Sequence, residues 1–124
     1  LDLYDPAHGG FIQYRHKEDD PRSLSNDMVH SVLEDSRGRL WIGTDGGGLD
    51  LLDPLTGTFA HYRHSADGNS ICSDYVNNIV EGRDGVLWIS TTEGLCRYEV
   101  NANKWTTIRR RTVTDDVTFG VIED

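Results

Sequence analysis

One stretch is written twice, and it constrains this chain more than any other feature. GRLWIGTDGGGLDLLDP, from Gly38 to Pro54, returns in altered spelling as GVLWISTTEGLCRYEV from Gly85 to Val100. Leu40-Trp41-Ile42-Gly43-Thr44 is short, apolar and β-prone, bounded by Gly38 and by Asp45-Gly46-Gly47-Gly48, and the alternating Leu49-Asp50-Leu51-Leu52-Asp53 follows at once. Two short strands joined by a glycine-rich connection read as a hairpin. The hairpin recurs after about 47 residues, among the periods of propellers and solenoids.

The likeness extends outward. LDLYDP at the start matches LDLLDP at 49–54, and FIQYRH at 11–16 matches FAHYRH at 59–64. Ser23-Leu24-Ser25-Asn26-Asp27-Met28-Val29 answers to Ser70-Ile71-Cys72-Ser73-Asp74-Tyr75-Val76, and VTFGVIED at 117–124 repeats MVHSVLED at 28–35. A repeat of this kind buries its faces only by stacking on its neighbours. Phased from the middle of one unit to the beginning of another, the chain reads as a piece of a longer protein.

Four strands per period can be placed: 29–35, 40–44, 49–53 and 59–63, then 76–81, 86–91, 95–100 and 104–109, preceded by 1–4 and 11–15 and followed by 118–123. No window carries a helical apolar period, and Gly, Asp, Asn and Ser interrupt the chain every few residues. The fold class expected is all-β, a partial β-propeller of about two and three-quarter blades, each a four-stranded antiparallel meander. Its segments are the second half of a blade at 1–16, full blades at 17–64 and 65–111, and the first strand of a further blade at 112–124. Gly38 and Gly85 stand at the first reversal of each blade, where a tight turn calls for positive φ. The first and third connections of a blade then share one face of the ring. The longer ones, 44–48, 92–94, 16–28 and 64–75, share the other, where ligand-accessible chemistry gathers.

Lys and Arg number 12 against 21 Asp and Glu, a formal charge of -9. That balance excludes nucleic acid as a partner, since phosphate binding needs clustered basic residues. Arg109-Arg110-Arg111 is the one basic run and reads as a solvated strand end or loop. No apolar stretch approaches the roughly 20 residues of a membrane span, so no direct membrane insertion is expected, and no signal-peptide pattern is seen. Cys72 is placed at the entry to a first strand and Cys96 on a third, about 10 Å apart across two strand spacings, which argues against a bridge.

Taken together, SLSND-x-V-x-x-[VI]-x-E-D-x-x-G-x-LWIGT-x-x-GGL-x-L-x-DP-x-TG-x-F-x-x-YRH resembles the two-component regulator propeller repeat over nearly the whole chain. The second unit departs from it at Ser90, at Gly82 and by one missing glycine before Leu95, and the third lacks the SLSND element. In that family, tandem repeats build periplasmic sensor regions of membrane-spanning hybrid two-component regulators and diguanylate cyclases. The resemblance therefore implies a sensory role and a periplasmic location, upstream of a cytoplasmic output module.

Residues present in every repeat read as structural: Trp41 and Trp88 as core between blades, Gly38 and Gly85 as turn residues. His16 and His64, in matching Tyr-Arg-His triplets, fall in neighbouring blades too far apart to share a metal ion. Gly46-Gly47-Gly48 lacks the following helix and the Lys of a phosphate loop. His30 is answered by Asn77 and Phe119, and variation on an inner strand marks it for recognition. On this criterion and on the face they occupy, the candidate ligand contacts are Arg22, Asn26, Asp27, His30, Asp45, Asn69, Asp74, Asn77 and Glu93. No nucleophile elbow, zinc-protease helix or Cys-x-x-Cys motif appears, so we expect no enzyme, no cofactor and no metal site. The partner expected is a small molecule, oligosaccharides among the classes considered; a protein-interaction scaffold is the alternative, with a propeller hydrolase or lyase behind it. End blades without neighbours predict self-association.

Overall fold

The computed structural model describes residues 1–5, 10–66 and 68–108. Among these the strands fall into three antiparallel sheets. β1 (Asp2–Asp5) pairs with β2 (Gly10–Gln13). β3 (Val29–Glu34), β4 (Leu40–Thr44), β5 (Leu49–Asp53) and β6 (Thr58–Tyr62) form one complete meander. β7 (Val76–Glu81), β8 (Val86–Thr91), β9 (Gly94–Glu99) and β10 (Lys104–Ile108) form the next. The only helical feature among the described residues is a 3-10 turn at Arg83–Gly85. The expected strand at 118–123, the slot of Phe119 and the run Arg109-Arg110-Arg111 lie outside the described residues.

The sheets are all-β propeller blades stacked side by side, with β3 and β7 packed against each other. Ser31 Oγ donates to Asn78 Oδ1 and accepts from the Ile79 backbone N–H, both at 3.3 Å, tying the two inner strands together. On the tight-turn face Glu81 reaches the preceding blade, accepting from Ser36 N–H at 2.9 Å and from Ser36 Oγ at 2.7 Å. The β3–β4 and β7–β8 reversals carry Gly38 at φ +79° and Gly85 at φ +77°, a region that costs an L-residue strain.

Packing follows the alternation of the strands. Trp41, wholly buried, faces the second blade and meets Tyr62 (5.7 Å between ring centroids) and Tyr98 (6.1 Å); Tyr98 stacks on Trp105 at 4.0 Å. With Leu49, Ile71, Val76, Ile79, Leu87 and Ile89 these rings make the core between the two full blades. Ile42, on the opposite side of β4, joins Leu24, Leu52 and Phe59 against Leu1, Leu3 and Tyr14 of the first hairpin. Gly43 belongs to the same contact as Trp41, because a Cβ there would stand 2.5 Å from Val76 Cγ1.

Trp88 does not repeat the burial of Trp41. It is half-buried on the side of β8 that faces away from the first blade, with the Arg97 guanidinium 6.0 Å from its ring. The described residues put no third sheet there, so nothing completes a core around it. In the first blade Asp35 accepts the Trp41 indole N–H at 2.9 Å, the Arg39 side chain at 2.7 Å and the backbone N–H groups of Arg37 and Arg39 at 2.9 Å each. Gly82 holds that place in the second blade and supplies no side-chain acceptor.

Contrary to the spacing expected from the sequence, a disulfide joins the second blade to its linking segment. Cys72 and Cys96 are bridged, with Cα atoms 6.1 Å apart. Cys72 belongs to the segment ahead of β7, and that segment lies over the face of its own sheet, so the distance is measured through the face and not across two strand spacings.

Candidate ligand face

The linking segments explain where the long-loop face is open and where it is closed. Each descends from the previous blade and crosses the next sheet on the side toward its predecessor. In the first full blade Arg22 C=O accepts from Phe59 N–H on β6 at 2.8 Å. Ser23 C=O then lies 2.7 Å from His61 Nε2, and Ser25 N–H donates to Asp50 Oδ2 on β5 at 2.8 Å. Asn26 Nδ2 donates to the Asp45 carbonyl at 3.1 Å. Ser23, Leu24 and Ser25 are buried in consequence, as are Ser70, Ile71 and Ser73 in the second blade.

Several candidate contacts are thereby occupied by structural bonds. Asp27 Oδ1 accepts the His16 N–H at 2.6 Å and Asp74 Oδ1 the His64 N–H at 2.7 Å, the same bond in successive units. Asn26 Oδ1 accepts from Met28 N–H at 2.8 Å. Asn69 bridges the Asn103 carbonyl at 3.1 Å and the Trp105 N–H at 3.0 Å, at the outer edge of the second blade. The paired histidines are brackets too: Nδ1 of His16 faces Leu24 O and Nδ1 of His64 faces Ile71 O, each at 2.8 Å. The Leu24 carbonyl and then Glu18 raise the His16 pKa. Among the described residues no three His, Cys, Asp or Glu are grouped to hold a metal ion.

Arg22 stands apart, in a recess of about 600 Å³ beside Asp53 and Phe59 near the opposite end of the blade. The remaining candidates converge. His30 and Asn77 occupy register shifts at the start of β3 and β7, between paired Val29 and Ser31 and between Val76 and Asn78. A bulge re-aims the side chain it carries, and both are exposed. His30 Nε2 lies 3.7 Å from Asp45 Oδ1, both side chains open to solvent. Asp45 in turn bridges to Tyr75, whose carbonyl also accepts from Thr92 N–H at 3.2 Å, so the two blades share one rim. Tyr75, Asp74, Glu93, Ser73, Cys72 and Thr107, with His64 beside them, border a cleft of about 390 Å³.

Sequence reasoning missed Met28 and Tyr75. They occupy one slot of the repeat, are 61% and 50% exposed, and flank the mouth formed by His30 and Asp45. The signal that could have found them is that their slot differs between repeats on the long-loop face. The Tyr75 ring packs close to Gly46, where a Cβ would stand 3.3 Å from it. The face therefore presents an exposed aromatic ring, a histidine, carboxylates and an amide, a set suited to stacking and multiple hydrogen bonds.

Among known proteins, the family model described as "Two component regulator propeller" matches at residues 23–46 and again at 70–93. No curated protein matches the sequence. The extracellular domain of BT3049 from B. thetaiotaomicron, described as that of a putative hybrid two component system, superposes with a TM-score of 0.73 at 21% identity over 86% of this chain. The extracellular domain of BT4673 from the same organism, described as a putative one component system, does so at 0.64 and 20% identity over 94%. These likenesses establish the fold; the chain spans only 15% and 16% of the two structures. Among the described residues no helix is long and apolar enough to cross a membrane. Residues 23–46 and 70–93, in two consecutive blades, thus carry the two component regulator propeller repeat.

Proposed function

We propose that this chain is part of the extracytoplasmic, periplasmic sensor propeller of a membrane-bound signalling protein, and that it binds a small molecule without catalysis. The observation that carries this reading is the meeting of repeat-variable, exposed side chains on one rim: His30 and Asn77 on bulges, with Asp45, Tyr75 and Glu93 beside them. A polyhydroxylated ring compound fits their chemistry, stacking an apolar face on Tyr75 and offering hydroxyls to the carboxylates and amide; carbohydrates are the leading class.

The test is a thermal-shift screen of the chain, and of the ectodomain that contains it, against oligosaccharides and other small polar molecules. A ligand held at a hundredfold excess over its Kd should stabilise the fold by about 2.7 kcal/mol. Tyr75→Ala and His30→Ala should abolish that shift while moving basal stability by no more than about 0.5 kcal/mol. A shift that survives both substitutions would place the ligand elsewhere; turnover of a screened compound would make the protein an enzyme. The exposed pair Met28 and Tyr75 also favours a second reading, a surface for another protein. Silence across the screen together with a stable complex with a protein partner would support it.

A further inference from the structure

The two full blades anchor their linking segments at the same place by different chemistry. In the repeat Ser25 corresponds to Cys72 and Asp50 to Cys96. Ser25 N–H donates to Asp50 Oδ2 at 2.8 Å; Cys72 N–H points at Cys96 Sγ at 3.0 Å. Ser25 Oγ lies 3.5 Å from Thr44 Oγ1 and Cys72 Sγ lies 3.3 Å from Thr91 Oγ1, while each threonine hydroxyl donates at 2.9 Å to a glycine carbonyl, Gly48 just ahead of β5 or Gly94 at the start of β9. A cysteine sulfur thus accepts where a carboxylate accepts in the first blade, the bond to Cys72 Sγ is added to that contact, and no carboxylate stands at the position of Asp50 once it is cut.

We propose that Cys72–Cys96 is a thiol-exchange site that sets the order of the segment at 70–75, and so the shape of the cleft it borders. Cys72 is the sulfur open to attack, being partly exposed on the cleft wall, whereas Cys96 is wholly buried. The co-reactant is a dithiol, small or carried by a protein. One of its thiolates attacks Cys72 Sγ, forming a mixed disulfide and expelling Cys96 as thiolate, which takes a proton. Its second thiol attacks the mixed disulfide, releasing Cys72 as a thiol and leaving the reductant as its own disulfide, so two electrons and two protons pass to the cysteines. Ile71 in the core and the bonds of Asp74 and Ser70 remain, which confines the loosening to this segment. The blade itself stays folded. Redox state then controls one rim loop while its neighbour, tied through Asp50, does not respond.

Hydrogen exchange read by mass spectrometry on the chain, oxidised and after dithiothreitol, tests this without any ligand. Amides in 70–75 should exchange about tenfold faster or more on reduction, with those in 23–27 unchanged as the internal control. Cys72→Ser with Cys96→Asp, which installs the first blade's pair in the second, should restore protection and make it indifferent to reductant. Ser25→Cys with Asp50→Cys should transfer the redox response to 23–27, and it keeps the proposal testable where the first double variant fails to fold. Equal protection of 70–75 in both redox states overturns the proposal, as does a bridge that dithiothreitol leaves intact in the folded chain.

Discussion

Asp50 and Asp35 are both buried acids in the first blade, and they respond to pH with opposite sign. Burial raises the Asp50 pKa against the opposing pull of Ser25 N–H, His61 and Arg63, and its Oδ1 has no hydrogen-bond partner among the described residues. The folded state therefore holds that proton more tightly than the unfolded chain. The stability this gives is complete at low pH and is lost as pH rises from the ordinary value of 3.8 through the raised folded one. Asp50→Asn should flatten that part of the profile; urea unfolding of both proteins from about pH 4 to about pH 7 measures it. A variant that parallels the parent at every pH would refute the assignment. At Asp35 burial also pushes upward, but hydrogen bonds from Trp41, Arg39 and Arg37 outweigh it and hold the carboxyl below 3.8. Its contribution is present above that pH and is lost as pH falls through the lowered folded value. Asp35→Ala at neutral pH leaves the Trp41 indole N–H buried without an acceptor and should cost about 1–3 kcal/mol in chemical denaturation.

At the scale of strands and loops, Gly43 shows how tightly neighbouring blades approach. Gly43→Ala drives a methyl toward Val76, a stiff β-branched residue on the next inner strand, and should cost about 1–3 kcal/mol. Ser90→Gly, at the equivalent slot of the second blade, should stay within about 0.5 kcal/mol. Comparing the two thermal midpoints isolates the blade-to-blade contact, and equal costs would show that it does not set the requirement. The same elements divide what was legible from what was not. β4 and β5 were readable to the residue, since glycines bound them and their apolar runs have no competing period. The linking segments were not. Ser, Asn and Asp between strands look like solvated loop, yet here they satisfy backbone groups while Leu24 and Ile71 fill the core, and residue type alone does not disclose that route. The sequence argues against the disulfide for the same reason, because Cys72 sits on such a segment and its route over the sheet is not disclosed by residue type. At the candidate site, His30, Asn77 and Asp45 can be picked out by their difference between repeats, whereas Asp27 and Asp74, which recur, hold the backbone, as does Asn26 although Ser73 stands in its slot.

For the molecule as a whole, burial is unequal at the two flanks. One side of the second blade carries Val80 at 40% exposure, Ile108 at 44% and the half-buried Trp88, with no sheet against them among the described residues. We expect this flank to take a second copy of the chain. Light scattering across a concentration series should show a rising mass that Val80→Lys and Trp88→Ser suppress; a concentration-independent monomer would contradict it. The route of the linking segments also decides where a repeat can be cut for transplantation. Because residues 22–27 lie across the sheet made by β3 to β6 and bind β5 and β6, they belong to the blade that follows them and not to the one they leave. A graft beginning at Val29 would arrive without its own wedge, and the portable cassette has to start at Arg22.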